Sequence, residues 1–135
     1  MRRRGRALVA LAAGLAALAI AACGGDDFEN EPRPAVPAEV SIELGNDSIS
    51  VSPSEFGAGL TNFTVVNLGD VAAAIEIDGP TNAQSDEVSP GGTATFKTDL
   101  TSGEYEASAS GAVAKPFEFA VGPDRESAQN ELLLP

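Results

Sequence analysis

The sequence predicts an all-β protein, a two-sheet antiparallel sandwich of about seven short strands set behind N-terminal segments that are no part of the fold. Three observations carry this. From residue 39 to residue 122 apolar and polar side chains alternate with period two, the mark of strands with one buried face. Gly, Pro, Asn and Asp interrupt that alternation at short, regular intervals. No stretch of the region carries an apolar stripe of helical spacing.

The segments before the sandwich come first in order. Met1 to Arg6 holds four arginines, and Ala7 to Ala22 is an apolar run rich in Ala and Leu. The run is shorter than the ~20 residues a bilayer-spanning helix needs. A basic start, an apolar middle and a small-residue end define a secretory signal peptide over residues 1–22, outside any folded unit. The run ends in Ile20-Ala21-Ala22-Cys23, which resembles the lipobox of bacterial lipoproteins. That resemblance implies a diacylglycerol on Cys23, cleavage just before it, and an acyl chain such as palmitate on the new amine. Two or three acyl chains hold a protein on a membrane where one binds only marginally. The expected location is the extracytoplasmic side of the cell membrane or envelope, with the membrane itself the first partner.

Cleavage at that point leaves 113 of the 135 residues, in which 20 acidic residues outnumber the four basic ones, Arg33, Lys97, Lys115 and Arg125, by 16. Such a chain is repelled by nucleic acid, whose binding depends on Lys and Arg meeting phosphates, and by an anionic bilayer surface. There is one cysteine and no histidine, so neither a disulfide framework nor a redox pair is available. Residues 23–38 then read as a tether. Their Gly, Asp, Glu and Pro content cannot bury enough surface to order them, and the prolines stiffen them into a spacer.

Within 39–122 the strands follow one another. Val40, Ile42 and Leu44 form the first alternating set and Ile49 and Val51 the second. Phe63 and Val65, Ile75 and Ile77, Ala94 and Phe96, and Tyr105, Ala107 and Ala109 continue the series, and Phe117, Phe119 and Val121 close it. Phe63, Phe96, Phe117 and Phe119 are the expected core aromatics. Turns are expected at Gly45-Asn46-Asp47, Pro53-Ser54, Gly57-Ala58-Gly59, Asn67-Leu68-Gly69-Asp70, Asp78-Gly79-Pro80, Pro90-Gly91-Gly92 and Ser102-Gly103. Leu100 to Tyr105 reads as a tyrosine corner, whose hydroxyl bonds back to upstream backbone and pins a Greek-key crossover. Residues 123–135 are expected to be a tail, with Asp124 a candidate cap for a short helix and Leu132 to Leu134 in need of a surface.

Three segments together resemble the cupredoxins, the Greek-key β-sandwich of small blue copper proteins, and in particular the cupredoxin-like domains of periplasmic and iron-uptake lipoproteins. They are Val51 to Ile77, Val88 to Tyr105 and Lys115 to Val121. The resemblance implies copper ligands at set places, and those places are empty of donors. The first histidine position is occupied by Ala73, the cysteine position by Ala109, and the loop Ser110 to Pro116 supplies neither the second histidine nor the axial methionine. A blue-copper centre needs a thiolate and two imidazoles. Neither a metal nor any other cofactor is therefore expected.

The same absences argue against catalysis. Without histidine, a Ser or Cys nucleophile lacks its usual base, and Lys97 falls on the polar phase of its strand. The expectation is a protein that is not an enzyme: an envelope lipoprotein whose sandwich is an interaction or accessory module with a protein partner. The alternative is a binding protein of an uptake system for a hard cation, calcium or ferric iron, or a small ligand. It would use the acidic loop of Asp78, Asn82, Asp86 and Glu87, because such cations favour oxygen donors.

Overall fold

The computed structural model describes residues 34–127. Cys23, the leader, most of the tether and the three C-terminal leucines lie outside that range. Every expected strand forms where the alternation places it. β1 (Ala38–Leu44) buries Val40, Ile42 and Leu44, and β2 (Ile49–Ser52) buries Ile49 and Val51. β3 (Glu55–Asn67) is the long one. β4 (Ala74–Asp78) and β5 (Ala83–Gln84) follow, then β6 (Thr93–Leu100), β7 (Gly103–Ser110) and β8 (Phe117–Asp124). No helix occurs among the described residues.

The strands make two sheets that share β3. The C-terminal part of β3, from Gly59 on, pairs with β1 on one side and β6 on the other, and β2 completes this sheet beyond β1. The N-terminal part, Glu55 to Ala58, pairs instead with β8 in the second sheet, which continues through β7 and β4 to β5. The expected turn at Gly57-Ala58-Gly59 is thus a strand changing sheets. Gly59 has φ 123° there, a backbone that residues with a Cβ rarely adopt.

The pairing is mixed, which corrects the expectation of a purely antiparallel sandwich: β1–β3 and β3–β8 are parallel. β2 hairpins back along the outer edge of β1, so β3 must return on the other side of β1, running in its direction. Side-chain alternation marks which face is buried and carries no information on strand direction. The domain also ends later than expected. β8 runs through Pro123 to Asp124, and Asp124 is in the strand rather than capping a helix. Gly57 pairs with Gly122 and Ala58 with Asp124, so Pro123 occupies a bulge, one of the few strand positions that tolerates a residue with no N–H to donate.

The core lies between the two inner faces. Val51, Ile42, Val65 and Ala94 form one row across the first sheet, and Ala83, Ile77, Ala107 and Phe117 one across the second. Phe63 of the first sheet meets Phe119 of the second edge-on at 6.4 Å between ring centres, with Phe56 and Tyr105 stacked on Phe119 and Phe96 stacked on Phe63. Phe63 and Phe119 are buried as expected, whereas Phe96 and Phe117 are only half-buried. Among the described residues β6 is an edge strand that pairs only with β3, and Phe117 opens onto a groove with Ser48, Ile49 and Lys115. The Tyr105 hydroxyl donates to the Thr101 carbonyl at 2.8 Å, the corner read from Leu100 to Tyr105.

Candidate functional site

At one end of the sandwich four connections meet: β1–β2, β3–β4, the segment into β6, and β7–β8. Asn67, the last residue of β3, ties the β3–β4 turn to the segment leading into β6. It is fully buried. Its side-chain amide donates to the carbonyls of Val71 at 2.8 Å and Val88 at 2.9 Å, and its Oδ1 accepts from the Gly69 N–H at 2.9 Å. Its main chain donates to the Gly92 carbonyl and accepts from the Gly91 N–H, while the next residue, Leu68, donates to the Leu44 carbonyl. The turn at Asn67 to Asp70 was legible in the sequence. That its asparagine would close both neighbouring loops was not, because the partners are main-chain groups distant along the chain.

Ala73 and Ala109 lie at this end. Ala73 is 1% exposed and makes an isolated bridge to Val88. Ile75, two residues on and on the same face, stands directly opposite Ala109 of β7. The two alanines are therefore diagonal neighbours on adjacent strands, facing the core, with Ala109 half-buried. Val88, bridged to Ala73, belongs to the same apolar core, against which Ala109, Ala112 and Ala114 pack. Among the described residues, no three Asp, Glu, His or Cys side chains gather where they could hold a metal ion.

At this end lies a hollow of about 140 Å³, lined by Leu44, Gly45, Asn67, Val71, Ala112 and Val113. Val113 is 97% exposed, Val71 55% and Leu68 63%. Among the described residues, three of the five exposed large apolar side chains thus belong to the two loops that frame one end. Leu68 in the Asn67 to Asp70 turn and Val113 in the Ser110 to Pro116 loop are aliphatic, and residue type alone does not mark them as exposed. The hollow's rim is polar on one side, where the Asn46 amide donates to the Asp70 carboxylate at 3.0 Å.

The acidic loop is drawn into the second sheet. Its middle forms β5, which pairs with β4, and the Asn82 side chain accepts from the Gly79 N–H at 3.2 Å. Asp78, Asp86 and Glu87 are exposed. A second acidic array lies on the outer face of the second sheet. There Asp78 stands opposite Glu106, and Glu106 opposite Glu118, across three neighbouring strands.

No protein-family profile matches the sequence, and no curated protein matches it. Among solved structures, a multicopper oxidase is similar at 14% identity with a TM-score of 0.47, over 67% of this chain and 46% of that one. A heme-copper terminal oxidase is similar at 11% identity with a TM-score of 0.46, over 66% of this chain and 73% of that one. The chain spans less than half the length of the multicopper oxidase.

Proposed function

We propose that this chain is a lipid-anchored protein of the cell envelope, held through Cys23, whose copper-free sandwich is a non-catalytic module that docks a protein partner. In this reading Ala73 and Ala109 stand where cupredoxins keep copper ligands, and the end of the fold around them serves recognition in place of metal chemistry. One observation carries the reading: exposed Val71 and Val113 line a hollow that Asn67 also lines, and Leu68 is exposed in the same turn as Val71, next to Asn67. Solvent-facing aliphatics grouped on a rigid frame mark an interaction site. The partner's chemistry follows from charge. Residues 34–127 hold 15 acidic side chains and three basic ones, so the partner is a protein presenting an apolar contact set within a basic surface.

The test is capture from envelope membranes with the full-length protein and with a Leu68→Ser/Val71→Ser/Val113→Ser variant. These side chains are solvent-facing, so the variant keeps the melting temperature to within a few degrees. The proposal expects one captured protein, its binding weakened by salt and abolished in the variant. Capture that is indifferent to the three substitutions overturns it.

A further inference from the structure

At the opposite end of the sandwich a single side chain gathers four main-chain carbonyls. Arg125 follows β8 immediately after the Pro123 bulge. Its Nε donates to the carbonyls of Gly57 at 3.1 Å and Ala58 at 3.3 Å, its Nη2 to Leu60 and its Nη1 to Val36. Its own N–H donates to the Ala58 carbonyl at 3.2 Å. Three of these acceptors belong to β3 where it crosses between sheets. The fourth belongs to residues 34–37, the stretch leading into β1, which pairs with no strand.

The sequence makes room for this arginine. A Cβ on Gly57 would meet the Arg125 Cγ at 2.4 Å, and one on Gly59 would meet Nη2 at 3.1 Å. The glycines that let β3 change sheets also leave open the path of the side chain. Val36 is 72% exposed, so its own burial does not fix it, while Ala35 and Pro37 beside it are half-buried. A planar guanidinium with five N–H donors can satisfy several carbonyls at once in a set geometry, which an ammonium cannot.

We infer that Arg125 is a clasp. It fastens residues 34–37 to the end of β8 and to the β3 crossing, so that the chain arriving from the tether enters the domain at a fixed point. Without it those residues form a hinge. With it, and on the reading that Cys23 is held at a bilayer, the domain cannot swivel where the tether joins it. The apolar hollow lies at the far end of β3: Leu60 to Leu68 is eight residues of extended chain, roughly 26 Å. The clasp thereby keeps the docking end turned away from the point of attachment.

Backbone order parameters at Ala35 and Val36, measured on the full chain in detergent micelles, test the clasp whether or not a partner is found, so its failure and that of the docking reading are separable. The wild type is expected near ~0.85, as in rigid backbone, falling below ~0.6 in Arg125→Met while Val40 to Leu44 stay rigid. Arg125→Lys is expected to fall too, because one ammonium cannot serve four carbonyls. Wild-type values already below ~0.6 overturn the inference. So do values in Arg125→Lys equal to those of the wild type, a comparison that holds even if Arg125→Met does not fold.

Discussion

Replacing Asn67 by alanine removes three hydrogen bonds at once, those to Gly69, Val71 and Val88. Each is a neutral bond worth about 1 kcal/mol net, and two carbonyls and an N–H are left without their partner, so the expected loss is about 3–4 kcal/mol. A domain of this size has a total stability on the order of 5–14 kcal/mol, and the melting temperature should drop by roughly 12–32 °C. Urea unfolding measures the change. The single tyrosine is buried against Phe119 and there is no tryptophan, so Tyr105 fluorescence reports the core without interference. The midpoint should fall with an unchanged slope, since the surface exposed on unfolding is the same. Asn67→Asp separates bonding from shape. It keeps the acceptor for Gly69 but turns a carboxylate oxygen towards two carbonyls in a buried site, which raises its folded-state pKa. A raised folded pKa means stability present at low pH and lost as pH rises through it, so this variant should be weakest at neutral pH and recover on acidification. A loss below about 1 kcal/mol in Asn67→Ala would show that Asn67 does not hold the loops.

Three further outcomes are expected. Phe119→Ala, deleting the ring that joins both sheets, should cost about 3–5 kcal/mol, and Phe96→Ala measurably less, because its ring is already half in solvent; equal losses would contradict the edge position of β6. Gly59→Ala forces a Cβ into a φ of 123° beside the Arg125 guanidinium and should lose roughly 1–3 kcal/mol, as read by the same urea titration. Cys23→Ala should leave an uncleaved precursor of higher polypeptide mass or a form released from the membrane; unchanged mass and partition would remove the anchor from the account.

The strands were readable because each has one wet and one dry face. Val40, Ile42 and Leu44 announce β1 without reference to anything else, and the same holds for Tyr105 and Ala107 in β7. What alternation could not supply was long-range pairing. Whether β3 lies parallel or antiparallel to β1 leaves the same residues buried, and Gly57 and Gly59 suit a turn as well as a strand changing sheets. Pro123 fell in the expected tail because a bulge is defined only by the partner strand. At the candidate site, the absence of donors at Ala73 and Ala109 was plain from residue types alone. The exposed trio was not, since an aliphatic residue in a loop gives no sign of its exposure until the other loops are placed around it. Arg125 was hidden for the same reason: its acceptors are carbonyls some 65 to 89 residues away, and a carbonyl has no identity in a sequence.

Site-specific photo-crosslinking on membranes tests the docking end most directly. A photoreactive residue is placed singly at Leu68, Val71 and Val113, and as controls at Glu104 on the outer face of the second sheet and Thr95 on β6. The account predicts one protein adduct of constant mass from the three loop positions and none from the controls. Adducts from Glu104 or Thr95 with nothing at Val113 would contradict it, placing the working surface on a sheet face and leaving the apolar end without a role in binding.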